Sequence, residues 1–239
     1  MKPIHFALLA TLVLALTTIK PSHAEDAKPD ADGFISLFDG KTLDGWDGNP
    51  DLWSVQDGCI TGQTTKEHPI NPNTFLIYKN DTPGDFELHA MFKLRNHNSG
   101  IQYRSKVIDA KKWIVGGYQA DMDGNNTYTG ICYEERGRGI ICPRGKKVTL
   151  VEGSAKPVID GQNADDKEIL AAVKKGDWNQ YVIIAKGNHL IQKLNGIVTA
   201  DITDNDPKKA SARGVIALQL HAGEPMLVQF KDIKIKKLD

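Results

Sequence analysis

The 239-residue chain sets 30 Lys and Arg against 30 Asp and Glu, and a net charge near zero disfavours nucleic acid, a partner that demands a basic face. Its charged fraction is 25%, with no long low-complexity tract, as in an ordinary globular chain. Three cysteines, Cys59, Cys132 and Cys142, form no Cys-x-x-Cys or His-x-x-x-His cluster of the kind that holds zinc.

Taken in chain order, Lys2 followed by an apolar run from Ile4 to Ile19 and by Ser22-His23-Ala24 reads as a signal peptide over 1–24, cleaved after Ala24. The run is about 16 residues, short of the roughly 20 that span a bilayer. The expected location is therefore periplasmic or secreted, with no membrane attachment after cleavage. Residues 25–32 are polar and read as a flexible leader, and 33–239 as one domain. There, short β-type runs alternate with Gly, Asn, Asp and Pro. Strands are expected at Phe34–Phe38, Trp53–Gln56, Cys59–Thr61, Phe75–Tyr78, Phe86–Leu94, Ser99–Arg104, Trp113–Met122, Gly130–Tyr133 and Gly139–Cys142. The second half adds Trp178–Lys186, His189–Leu194, Ile197–Thr203, Gly214–His221 and Met226–Lys236. Asp57-Gly58 and Asn195-Gly196 predict tight hairpin turns. One helix is expected over Asp165–Lys175, where Ile169, Leu170 and Val173 share a face and Gly176 follows. Many short strands and one helix predict an all-β fold, a two-sheet antiparallel sandwich of the jelly-roll kind, and leave no βαβ unit for a dinucleotide.

Several strands depart from the ordinary outer-face composition of Lys, Thr, Ser and Glu. By period-2 alternation Gln102 shares a face with Arg104, Gln119 with Asp121, and Gln219 with His221. Amides, a guanidinium, a carboxylate and an imidazole are the groups that grip a polyhydroxylated ligand. Tyr103, Tyr118, Tyr133 and Trp113 offer flat surfaces for a sugar ring. The plain alternatives are solvated strand residues for Gln119 and Gln219, a surface pair of Arg104 with Asp109 or Asp121, and a turn-closing His221 before Ala222-Gly223-Glu224-Pro225.

From Tyr128 to Gly139, Glu134, Glu135, Arg136 and Arg138 crowd one hairpin tip. They suit an acid/base carboxylate beside an anchoring Arg, or equally a salt-bridged turn. Neighbouring strand residues point to opposite faces, so only one of Glu134 and Glu135 enters a given cleft. If the hairpin centres on Gly137, Cys132 and Cys142 lie opposite each other, as a candidate disulfide or as two packed thiols. Asp121, Asp123 and Asn125 alternate in a loop-like run that could hold calcium but shows no full ligand set, and a plain solvated loop is the favoured reading. No cofactor or metal is required by the sequence.

The segment from Gly33-Phe34-Ile35-Ser36-Leu37-Phe38-Asp39-Gly40 to Gly45-Trp46 resembles the opening signature of the 3-keto-disaccharide hydrolase family. The resemblance continues through Trp53–Gly58, Asn98-Ser99-Gly100-Ile101-Gln102-Tyr103-Arg104, Gly117–Met122, Thr129–Glu134, Asn195-Gly196, Leu218–His221 and Val228–Ile233. It implies a concanavalin A-like sandwich in an exported bacterial protein, and cleavage of glycosides already oxidised to a ketone at C3. Loss of the C2 proton, elimination at C1 and hydration would break the bond. The oxidised sugar would come from a separate sugar oxidoreductase. On this resemblance Arg104 anchors substrate or stabilises the enolate. Asp121 or Glu134 is the base, His221 is a base or proton donor, and Gln119 and Gln219 orient hydroxyls. Many relatives carry Glu at the position of Gln119 and Gln at that of Asp121, so the carboxylate has moved two residues along one face. Cys132 and Cys142 stand where small apolar residues are the family habit. The other class that fits the same face is a non-catalytic carbohydrate-binding module.

Overall fold

The computed structural model describes residues 28–238, so the signal-peptide reading of 1–24 lies outside the described residues. The first strands are β1 (Ile35–Ser36), β2 (Trp46–Asp47), β3 (Trp53–Gln56), β4 (Cys59–Gln63), β5 (Thr74–Tyr78) and β6 (Phe86–Leu94). Then come β7 (Asn98–Asp109), β8 (Ile114–Asp123), β9 (Cys132–Glu135), β10 (Gly139–Cys142), β11 (Lys146–Val151) and β12 (Val158–Gln162). A short helix α1 (Asp166–Ala172) precedes β13 (Asn179–Lys186), β14 (His189–Leu194), β15 (Ile197–Asn205), β16 (Val215–Leu220) and β17 (Leu227–Lys237).

These strands build two sheets. A ten-stranded sheet runs β12-β11-β15-β14-β13-β6-β17-β4-β3, with β1 added beside β17, and a seven-stranded sheet runs β10-β9-β8-β7-β16-β5-β2. Pairing is antiparallel except between β11 and β15. The all-β sandwich is therefore the fold. In the larger sheet, alternation decides the layers: along β6, Phe86, Leu88, Ala90, Phe92 and Leu94 are buried and the residues between them are not. They meet Tyr103, Tyr118, Ala120, Leu218 and Leu220 of the smaller sheet in one core.

The local signals are realised closely. Asp57 and Asn195 take positive φ, followed by Gly58 and Gly196 in the same region, as the tight turns between β3 and β4 and between β14 and β15 require. Asp165 caps α1 by accepting the Glu168 N–H at 2.9 Å, and Ile169 packs into the core. The helix stops at Ala172, earlier than its apolar spacing suggests. Val173 turns extended, and the Asn179 side chain bonds both the N–H and the carbonyl of Lys174. Strands β2, β11 and β12 are additions to the sequence reading. The exposed β12 is an edge held by pairing with β11, which no burial pattern announces.

The smaller sheet breaks the one-face rule. From Ser99 to Ser105 every residue is buried, so both faces of β7 are covered. On the outer face lie an apolar patch of Phe75, Ile77, Val115 and Ala217 and a row of polar side chains that forms the site.

Candidate active site

A cleft of about 600 Å³ opens on that outer face. The walls carry Gln119 and Asp121 from β8, Tyr133 and Glu135 from β9, and Gln219 and His221 at the end of β16. Asn73, His97, Asn98 and Tyr128 come from the connecting segments and strand ends around it. Cross-strand register brings them together: Gln102 faces Gln119, Gln119 faces Tyr133, and Gly117 faces Glu135. Two glycines make the packing feasible. A Cβ on Gly100 would sit 2.4 Å from Gln119. Gly117 has φ +143, and a Cβ there would meet Ser105 Oγ at 2.5 Å.

Asp121 is the centre of the polar row. Asn98 Nδ2 donates to its Oδ1 at 2.6 Å and Gln119 Nε2 to its Oδ2 at 2.9 Å. Behind Gln119 the donors continue in one direction. Gln102 Nε2 donates to Gln119 Oε1 at 2.8 Å, and Ser105 Oγ to Gln102 Oε1 at 2.6 Å. A carboxylate accepts only, so it sets the polarity of the whole chain. Burial raises the Asp121 carboxyl to about 7; the bonds from Gln119 and Asn98 pull it down, while the charges of Asp123 and Glu135 push it up.

Glu135 is raised as well, by burial, against the bonds from Asn73 and Gln219 and the charge of Arg136. Asn73 Nδ2 lies 3.4 Å from its carboxylate and Gln219 Nε2 3.3 Å. Gln219 Oε1 is buried and finds no protein donor among the described residues. His221 is pushed below the usual imidazole range by burial, with the nearby His97 adding to the fall and the Ala222 bond opposing it. The His221 Nδ1 lies 2.7 Å from the Ala222 carbonyl. A carbonyl only accepts, so Nδ1 carries the hydrogen and the neutral ring presents Nε2 as a base. The His97 ring packs edge-on against it at 4.8 Å.

Other expected site residues lie elsewhere. Arg104 does not share a face with Gln102, because its φ of +46 and a register shift between Tyr103 and Lys106 turn it over. Its guanidinium is buried, donating to the carbonyls of Gly84 at 2.8 Å and Gly187 at 2.6 Å and pairing with Asp85 at 2.7 Å. Neither Asp109 nor Asp121 is its partner. Glu134 also leaves the cleft: Arg138 donates to both its oxygens, at 2.6 and 3.1 Å. Arg138 in turn bonds Asp204, and Tyr118 Oη donates to Asp204 at 2.5 Å. Glu134, Arg138 and Tyr118 thus form one ion-pair network with Asp204. Burial works against Asp204, but the bonds from Arg138 and Tyr118 outweigh it and hold its carboxyl low. Tyr103 joins Tyr118 in the core, and the Trp113 indole donates to Asp47 at 2.7 Å, so Tyr133 and Tyr128 are the aromatics on the cleft wall. Gln102 lies beneath the wall, behind Gln119.

The cysteines are free thiols. Cys132 and Cys142 are register partners, but the pairing shifts between Ile140 and Cys142. Cys142 Sγ turns to the Lys146 carbonyl at 3.3 Å, and Cys132 Sγ to Tyr103 Oη at 3.5 Å. Asp123, read with Asp121 and Asn125 as a cation loop, accepts the N–H groups of Asn125, Thr127 and Tyr128. Its oxygens organise the turn that carries Tyr128. Asn73 and His97 carry no signal in the sequence, and Asn98 stands out only as part of the Asn-Ser-Gly motif. That motif was the one signal for this corner.

Comparison with known proteins agrees with this picture. A 3-keto-disaccharide hydrolase of Bacteroides thetaiotaomicron is 35% identical over 105 residues, 41% of this chain and 33% of that protein, so the match takes in about a third of the relative. Two provisionally named glycosyl hydrolases from Parabacteroides distasonis share the fold. One has a TM-score of 0.59 at 20% identity, covering 87% of this chain and 95% of its own. The other has a TM-score of 0.55 at 24% identity, covering 86% and 99%. A Bacillus subtilis protein with a galectin-like fold has a TM-score of 0.50 at 10% identity, covering 80% and 89%. The 3-keto-alpha-glucoside-1,2-lyase-like domain model matches residues 33–236, nearly the whole described structure, and the chain therefore belongs to that carbohydrate-directed family.

Proposed function

We propose that this protein is an exported enzyme that cleaves 3-keto-glycosides by elimination and hydration, with Asp121 as the base. The observation that carries the reading is a carboxylate on the cleft wall, raised to about 7 and held by donors on both oxygens. A base that titrates near the working pH combines a useful ionised fraction with real proton affinity. A ketone at C3 acidifies the C2 proton. Asp121 takes that proton, the electron pair moves toward the C3 oxygen, and the enolate then expels the C1 substituent. Water adds to the unsaturated product, so the net change is hydrolysis.

Glu135 suits the second role. Burial favours its protonated form, and a protonated carboxyl can donate to the departing oxygen. The Tyr133 hydroxyl and the Asn73 amide are the nearby donors for the enolate oxygen. Gln219 Oε1 accepts from a sugar hydroxyl, satisfying an atom that has no protein partner among the described residues. His221 Nε2, two residues further along the chain, is a second acceptor on the cleft wall. All these groups move protons or orient hydroxyls, so the C3 ketone is made by a separate sugar oxidoreductase. The family name and that of the curated relative support the substrate class.

The test is incubation with a 3-keto-disaccharide, following loss of the ketone-bearing sugar and release of the free aglycone. Turnover that disappears in Asp121→Asn is expected. Sugar binding without turnover across several 3-keto-glycosides would instead make the protein a carbohydrate-binding module.

A further inference from the structure

Glu135 lines two cavities. Besides the main cleft, a smaller one of about 170 Å³ is walled by Gly116, Gly117, Arg136, Lys106 and Lys209 as well as Glu135. The floor is bare backbone. A side chain at Gly116 would come within 3.0 Å of the Glu135 carbonyl, and one at Gly117 would strike Ser105. The charges around this cavity are uneven. Arg104 at its base is offset by Asp85, and Glu134 by Arg138. That leaves Lys106, Arg136 and Lys209, all exposed and none with an ion-pair partner among the described residues, against the single carboxylate of Glu135.

We infer that this second cavity is the aglycone subsite, and that it takes a leaving sugar carrying an anionic group, a carboxylate or a sulfate. The inference rests on the proposed cleavage reaction. With Asp121 in the large cleft acting at C2, the C1–oxygen bond must lie next to a proton donor. Glu135 is the residue common to the two linings, so the ring in the smaller cavity is assigned as the departing one. The dimensions agree, since the smaller cavity has space for a single ring and the larger for more. Three unpaired cations around one cavity are mutually repulsive, and an anion bound among them relieves that repulsion.

The experiment compares kcat/KM for 3-keto-disaccharides whose aglycone is a neutral hexose, the corresponding uronic acid or the 6-sulfated hexose. It is run on the wild type and on Arg136→Glu/Lys209→Glu. The wild type is expected to prefer at least one anionic aglycone by roughly tenfold, with the preference shrinking as ionic strength rises. In the double variant the preference should vanish or invert. The two acidic substrates separate carboxylate from sulfate recognition. A parallel calorimetric titration of the free uronic acid, sulfated hexose and neutral hexose reads the subsite without catalysis. Equal kcat/KM for all aglycones in both proteins, or equally weak binding of all three free sugars, would overturn the assignment. If no 3-keto-disaccharide is cleaved but the wild type binds an anionic sugar and the variant does not, the cleavage reaction falls while the anion site stands.

Discussion

Replacing Asp121 by Asn separates the stability of the fold from its chemistry. The Asp121 carboxyl sits at about 7 in the folded protein, against 3.8 for an ordinary Asp. Below 3.8 both folded and unfolded chains hold the proton and the group contributes no pH dependence. Between about 4 and 7 the unfolded chain has lost it and the folded chain has not, so stability falls as pH rises. Above about 7 the loss is complete and amounts to about 4 kcal/mol. The amide introduced by Asp121→Asn has no charge to desolvate. It also has a way to fit: Gln119 and Gln102 rotate their amides, each then donating where it accepted, and Ser105 Oγ becomes the final acceptor. The substituted protein should therefore melt close to the wild type near pH ~4 and progressively above it toward pH ~8. Turnover should drop by about 10²–10⁴-fold, the usual worth of a general base. Thermal melts across that pH range, with kcat/KM measured on the same samples, make the check. In the wild type, kcat/KM should rise with pH through about 7. A melting difference that does not grow with pH, or a substituted protein that still turns over, would refute the assignment.

Other perturbations follow from the same geometry. Glu135→Gln should slow cleavage of poor leaving groups far more than activated ones such as a nitrophenyl aglycone, read as a steeper dependence of kcat on leaving-group pKa. Arg104→Ala should act on stability, not chemistry. It strands the carbonyls of Gly84 and Gly187 and removes the partner of the partly exposed Asp85, costing about 2–3 kcal/mol in urea unfolding, with kcat unchanged in the folded fraction. Gly117→Ala combines a disfavoured φ with a clash against Ser105. It should cost roughly 1–3 kcal/mol and reduce turnover by shifting the strand that carries Gln119 and Asp121.

The sandwich was legible because its signals are local. Turn dipeptides, the capped helix and period-2 alternation in β6 each depend on a few neighbouring residues. The polar anomaly was legible too, and Gln119, Asp121, Gln219 and His221 do gather in one cleft. The misplacement of Arg104 has a physical cause: alternation holds only where a strand is regular. At Arg104 a positive φ turns the side chain over, and the sequence Tyr103-Arg104-Ser105 carries no mark of it. Between Glu134 and Glu135 the rule correctly allowed one entrant but could not say which, because that depends on the partner residues Tyr118 and Gly117 on β8.

What the amino-acid sequence determines by itself is a two-sheet β scaffold with carboxylates, amides and an imidazole at strand positions where an outer face would ordinarily be Lys, Thr, Ser and Glu. What only the tertiary structure decides is how each of these groups is used. Strand β16 inserts between β7 and β5, bringing Gln219 to Glu135 across 84 residues of chain, and Asp204 reaches Arg138 from 66 residues away. A carboxylate becomes a base or a structural anion according to the partners that long-range pairing delivers. Asp121 receives two amides and keeps a raised proton affinity, whereas Glu134 receives a guanidinium and is spent on the fold.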